Sequence, residues 1–210
     1  KSYSTTMLQG VTGSGKTEVY MDAIVESILL GRQVLVLFPE ISLTTTFFER
    51  LRERFEFGFA EWHSAISKKE KRKILRCVLD GSIKLVFGAR SAVFLPFRNL
   101  GLIIVDEEHD SLYKQEEGAR YNGRDMAVLK GSHASVPVVL VSATPSLETW
   151  VNVTEKKYES LVLPKRFGSA TLPKVSLVNM REQPTEKNKW ISPRIVKEIH
   201  YPNQIVKFDD

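Results

Sequence analysis

Cysteine is nearly absent from this 210-residue sequence. With Cys77 as the single one, no internal disulfide and no cysteine-built zinc site can hold the fold, and a reducing, cytoplasmic setting is expected. Long hydrophobic runs are missing too. The longest, such as LGLIIV at 100–105, fall far short of the ~20 residues that cross a bilayer, so no membrane partner is expected. The first residues, KSYSTTMLQG, have neither an initiator Met nor the basic-then-apolar layout of a signal peptide, and they read as the start of a piece cut from a longer protein. What is there is ordinary globular composition, 42% hydrophobic and 26% charged, in a length that suits one well-buried core with an appendage. A net charge of +5 permits a polyanion partner without requiring one.

Apolar runs of strand length alternate with helical patterns, which predicts an α/β fold with a mostly parallel sheet sandwiched by helices. VLVLF (34–38), KLVFG (84–88), LIIVD (102–106) and VVLVSA (138–143) are continuous rather than alternating, as in strands buried on both faces. Helices are expected at 16–30, 44–55, 67–79, 123–133, 146–154 and 192–200. Ser67 with Glu70 forms a capping-box pattern, and the five cations that follow Ser67 fit a solvated helix face or a phosphate contact. Cys77 falls on the apolar side of that helix, as a packed thiol. Beyond residue 160 the composition turns to Pro, Lys and small polar residues, with only VSLVNM (175–180) resembling a strand, which reads as a linker.

The stretch GVTGSGKT, Gly10 to Thr17, fits the phosphate-loop pattern G-x-x-x-x-G-K-[ST], with a short strand, TTML, before it and a helix after it. Gly10, Val11, Thr12, Gly13, Ser14, Gly15, Lys16, Thr17 and Glu18 are the candidate nucleotide contacts. Glycines let backbone N–H groups close around a polyphosphate at a helix N-terminus. Lys16 supplies a positive charge to the β and γ phosphates, and the Thr17 hydroxyl supplies a ligand to Mg2+. A Gly-rich turn that happens to end in Lys-Thr is the other reading. The pattern alone does not separate kinases, transporters, GTPases and helicases.

LGLIIVDEEHD places Asp106 where a buried strand ends, at the sheet edge where ligands bind in such folds. Opposite Thr17, Asp106 suits Mg2+, and Glu107 suits the task of orienting and deprotonating an attacking water. His109 could touch the γ-phosphate region or relay its state. An acidic cap on a following helix, with no metal, is the alternative.

GSGKT, DEEH and SATP (142–145) together resemble the DExH-type superfamily 2 helicases. Longer blocks in the same order are similar to the primosomal protein N′ family of bacterial replication-restart helicases: GVTGSGKTEVY, PEISLT (39–44), RSAVFLPF (90–97), DEEHDSLYKQEEGARYNGRD (106–125) and SATPSLET. The resemblance implies a RecA-like P-loop NTPase lobe at 1–160, the first of two, and an extension at 161–210 that leads to a second lobe outside this sequence. It implies ATP and Mg2+ as cofactors, with the family's zinc sites lying elsewhere. It also implies movement 3′ to 5′ on single-stranded DNA at stalled forks and D-loops. The partners it implies are single-stranded and forked DNA, other primosome proteins, the replicative helicase loading machinery and single-stranded DNA-binding protein.

By the same resemblance Ser142, Ala143 and Thr144 couple hydrolysis to unwinding, and Lys16, Glu107 and His109 serve catalysis. Ser42, Thr44, Arg90 and Ser91 line the DNA backbone, and hydroxyls beside an arginine do suit phosphate contacts that read no sequence. Tyr113, Lys114, Arg120, Tyr121 and Arg124 form a DNA-sensing loop, whose rings and cations suit sequence-tolerant single-strand binding. Tyrosines packed on the core, with charges paired to Glu116 and Glu117, are the alternative. Departures from the family occur at TTFF after Thr44, where Pro-Gln is more usual, and at Ala89, where Thr is common. Two rival functions remain, a small-molecule kinase or transport ATPase and a nucleotide-binding adaptor. The sequence has no LSGGQ-like transporter signature, and a kinase has no need of DEEH with SATP. Without a second lobe and its arginine finger, the 210-residue chain is expected to bind ATP weakly, to hydrolyse it negligibly and not to unwind DNA.

Overall fold

The apolar runs become strands because each offers β-branched or large apolar residues to both faces of a sheet that is covered on both sides. In the computed structural model, which describes residues 3–39, 49, 52, 58–167, 178–181 and 190–200, β1 is Thr5–Gly10, β2 Gln33–Leu37, β4 Leu85–Gly88, β5 Leu100–Val105 and β8 Val138–Ser142. Two further strands, β3 (Ala60–Trp62) and β9 (Glu159–Leu163), complete a seven-stranded sheet in the order β3-β4-β2-β5-β8-β1-β9. Every pairing in it is parallel. The expected α/β class, a parallel sheet between helices, is the observed one.

The helices follow their sequence signals. α1 is Lys16–Leu29, α2 Lys68–Asp80, α3 Gly123–Ala134 and α4 Leu147–Thr154. Ser67 caps α2 by accepting the Glu70 N–H at 3.1 Å, and Ser146 caps α4 by accepting from Thr149. The strands' period of two divides the core. Leu8, Val34, Val36, Phe87 and Ile104 meet Tyr20, Met21 and Ile24 of α1 on one face, while Met7, Leu35, Val86, Ile103 and Leu140 meet Ile74 and Val78 of α2 and Ala127 of α3 on the other. Burial of each such side chain contributes about 1.5–3 kcal/mol. The expected helix at 44–55 and the strand at 175–180 fall, apart from isolated residues, outside the described ones.

Two small strands, β6 (Lys114–Gln115) and β7 (Tyr121–Asn122), pair as an antiparallel hairpin between β5 and α3. The chain divides into two units, Lys1–Ala170 and Thr171–Asp210. The first carries the sheet and extends past the change of composition near residue 160 to include β9. In the second, α5 spans Pro193–His200. Because the strands of the sheet are parallel, the ends of β1, β5 and β8 open on one edge, where Gly10, Asp106 and Ser142 stand.

Candidate functional site

β1 ends at Gly10, and the turn that follows it feeds directly into α1. A Cβ at position 10 would run into Ser14 Oγ and the Leu163 side chain, and Gly13 (φ +78°) and Gly15 (φ +86°) lie in the left-handed region that side chains disfavour. The Ser14 N–H closes the turn onto the Val11 carbonyl at 3.0 Å. Gly15 at the N-cap of α1 brings no side-chain cap to a helix start, where the first-turn N–H groups point out of the helix. Ser14 Oγ is buried without a hydrogen-bond partner among the described residues. Lys16 Nζ folds back over the turn and donates to the carbonyls of Gly10 (2.8 Å) and Val11 (3.4 Å). A helix N-terminus, a buried hydroxyl and a lysine beside it are the donor set of an anion site.

Asp106 is held from three directions. Its N–H reaches the Leu37 carbonyl (2.9 Å), its Oδ2 accepts the Tyr20 hydroxyl (2.9 Å), and its carbonyl accepts the Tyr113 hydroxyl (2.6 Å). Burial pushes its carboxyl up to about 6, although hydrogen bonds from Tyr20 and from the Glu107 N–H favour the charged form. Burial, with Asp106 alongside, also raises the Tyr20 hydroxyl well above the usual tyrosine range. Glu107 takes a left-handed backbone (φ +46°), and its side chain stays 44% exposed. His109 Nδ1 lies 3.6 Å from Glu107 and 2.8 Å from Ser142 Oγ, which also accepts the Thr144 N–H at 3.0 Å. The expected catalytic and coupling groups of β5 and β8 are thus in contact.

Lys16, Thr17, Asp106 and Glu107 line one cavity of about 600 Å³, together with Thr12 to Gly15, Glu18, Val19, Leu163 and Phe167. Among the described residues no group of three or more His, Cys, Asp and Glu could hold a metal. One hydroxyl and one carboxylate fit Mg2+, which keeps several waters and takes phosphate oxygens as its remaining ligands.

The DNA-contact expectations fare differently. Tyr113 is 1% exposed, packed in the core with its hydroxyl committed to the Asp106 carbonyl, so in this structure it offers no ring for stacking. Arg124 is 7% exposed and is likewise removed from a surface role. Its guanidinium meets Glu108 (3.3 Å), Asp125 (2.8 Å), Ser146 (2.6 Å) and Glu148 (3.7 Å). Arg90 donates to the carbonyls of Leu112 (3.0 Å) and Lys114 (2.6 Å), holding the loop base, and Ser91 accepts the Trp62 indole N–H at 3.2 Å. Tyr121 is half-buried, edge-on to Phe94 (5.0 Å, 78°), while Lys114 and Arg120 are exposed. Ser42 and Thr44 lie outside the described residues.

Sequence reasoning missed Glu108. It is 2% exposed, and its carboxylate accepts the Ser146 N–H (2.7 Å), the Ser146 hydroxyl (2.9 Å) and the Thr149 hydroxyl (2.9 Å) besides Arg124. Two adjacent glutamates therefore have opposite surroundings, one open to the cavity and one buried in a full set of donors. The Ser-x-x-Thr at 146–149 was the available signal, because a helix cap beside an acidic strand end supplies donors.

The family described as DEAD/DEAH box helicase matches residues 2–153. The chain is 43% identical over 199 residues to the replication restart protein PriA of Rickettsia felis, covering 95% of this chain and 31% of that one. It is 46% identical over 183 residues to that of Bacillus subtilis, covering 87% and 23%. Among solved structures, RecG bound to a three-way DNA junction superposes with TM-score 0.56 at 25% identity, over 78% of this chain and 21% of that chain. The chain therefore spans less than a third of the length of either curated relative.

Proposed function

Because the chain belongs to the DEAD/DEAH box helicase family, we propose that its cavity binds ATP with Mg2+ and that the complete protein is an ATP-dependent DNA helicase of replication restart. The observation that carries this reading is the convergence of Lys16, Thr17, Asp106 and Glu107 on one cavity. In it, Lys16 exchanges its two backbone carbonyls for β and γ phosphate oxygens, and the first-turn N–H groups of α1 complete the cradle. Thr17 and Asp106 would hold Mg2+, and the ion would supply positive charge beside the transferring phosphoryl group. Glu107 orients and deprotonates water, and His109 with Ser142 and Thr144 passes the state of the site to the end of β8. The similarity to replication restart proteins supports the replication-restart role, and the motif resemblance adds 3′-to-5′ movement at stalled forks and D-loops with primosome proteins as partners.

DNA contact falls to Lys114, Arg120, Tyr121 and Ser91, the loop-face groups that remain at least partly exposed. Among the described residues lining the cavity, Lys16 is the one cation. Phosphoryl transfer in such sites draws on a further arginine, worth about 10³–10⁵ in rate. The 210-residue chain by itself binds ATP and turns it over very slowly. Calorimetric titration with Mg·ATP tests the site: wild type binds, and Lys16→Ala weakens binding by about tenfold or more, the loss of one charged hydrogen-bond set. Equal binding by both proteins would place the nucleotide elsewhere.

A further inference from the structure

The cavity that carries the proposed nucleotide site is chemically two-ended. Lys16, Thr17, Asp106 and Glu107 make one end polar and charged, whereas Leu163 and Phe167 bring only hydrocarbon to the rim. Sheet order fixes how the ends are disposed. β5, which delivers Asp106, lies two strands from β1 on one side, and β9, which ends in Leu163, is the direct neighbour of β1 on the other, with Leu163 paired to Gly10. The phosphate loop sits between them.

Phe167 is 85% exposed, an unusual state for an unpolarised ring. Single exposed apolar side chains are common and need no role. This one is distinguished by its tether: its N–H donates to the Gly13 carbonyl at 2.8 Å, fixing the residue against the crest of the loop at the cavity mouth. A nucleoside triphosphate whose γ end meets Asp106 and Thr17 leaves the loop in the opposite direction. Its base then arrives on the β9 side, where the ring waits. A flat heterocycle on an aromatic face is favourable whatever its hydrogen-bonding edge.

We infer that Phe167 is the stacking platform for the nucleobase of a nucleoside triphosphate, with Leu163 as the apolar floor beside it. The inference rests on the nucleotide reading of the cavity and adds the recognition of the base, which no phosphate-loop residue supplies. Stacking on one face predicts that Phe167→Ala weakens binding by about five- to tenfold.

The test compares two ligands of the 210-residue chain, Mg·ATP and inorganic tripolyphosphate with Mg2+, which has the phosphates and no base. Phe167→Ala loses affinity for ATP and keeps its affinity for tripolyphosphate, Phe167→Trp retains both, and Lys16→Ala loses both. ATP binding unchanged in Phe167→Ala overturns the inference while leaving the nucleotide site intact. Equal losses for ATP and tripolyphosphate in Phe167→Ala also overturn it, since they would show that the residue shapes the loop rather than meets the base. A wild-type chain that binds neither ligand overturns the nucleotide reading, and the inference with it.

Discussion

At the scale of single residues, Asp106 shows a site held against its own stability. Its carboxyl titrates near 6 in the folded chain against an ordinary 3.8. Between those values the folded chain keeps a proton that the unfolded chain has lost. The contribution of this one group is therefore free of cost below about pH 4 and grows between pH 4 and 6 to a cost on the order of 3 kcal/mol. Asn at this position is neutral at every pH, and its one oxygen can keep the bond from the Glu107 N–H while its amide N–H turns to the Tyr20 hydroxyl oxygen. Asp106→Asn should thus raise the melting temperature of the nucleotide-free chain at pH 7–8, with the advantage gone by pH 4, while abolishing Mg2+-dependent nucleotide binding. An advantage that is the same at pH 4 and pH 8 would show that the buried charge is not its source. That Asp106 would stand at the sheet edge beside the phosphate-loop turn was legible in the sequence, because it follows a continuous apolar run. That Tyr20 and Tyr113 would clamp it was not, since both hydrogen bonds depend on where α1 and the 3₁₀ turn Ser111–Tyr113 cross the sheet edge.

Between elements, the Glu108 cluster does the joining. It ties the end of β5 to the first turn of α3 through Arg124 and to the cap of α4 through Ser146 and Thr149. A buried carboxylate is tolerated only with such a set of donors, and removing one partner of a buried pair costs about 3–5 kcal/mol. Glu108→Ala should lower stability by that order in denaturant unfolding, whereas Glu107→Ala, at a half-open side chain, should change it by less than about 0.5 kcal/mol. Similar midpoints for the two variants would mean that the cluster adds little to the fold. The same cluster explains why the loop ahead of α3 was only half legible. Alternating rings and cations in YKQEEGARYNGRD suit a nucleic-acid surface, yet Arg124 is drawn inward by a carboxylate 16 positions away, and no local pattern records that. The five buried strands β1, β2, β4, β5 and β8 and the helices around them were readable because apolar runs and caps are local signals. β9 was not. It is an exposed edge strand, with Leu161 at 55% and Val162 at 57%, placed by its pairing with β1 rather than by burial.

At the scale of the whole molecule, the unit Lys1–Ala170 carries a parallel sheet whose one edge gathers the Gly10–Thr17 turn, the Asp106 and Glu107 carboxylates and the Ser142–His109 pair from three strands. The chain belongs to the DEAD/DEAH box helicase family and spans 31% of the length of the Rickettsia felis relative; the ATP-driven motor proposed for the complete protein is therefore tested on the complete protein. The most direct measurement is steady-state ATP hydrolysis by the complete protein with and without forked DNA, for wild type and Glu107→Gln. The account predicts that forked DNA raises wild-type turnover severalfold and that Glu107→Gln still binds ATP but loses turnover by at least about 100-fold, as expected for removal of a general base. Turnover indifferent to DNA, or a Glu107→Gln protein as fast as wild type, would contradict it.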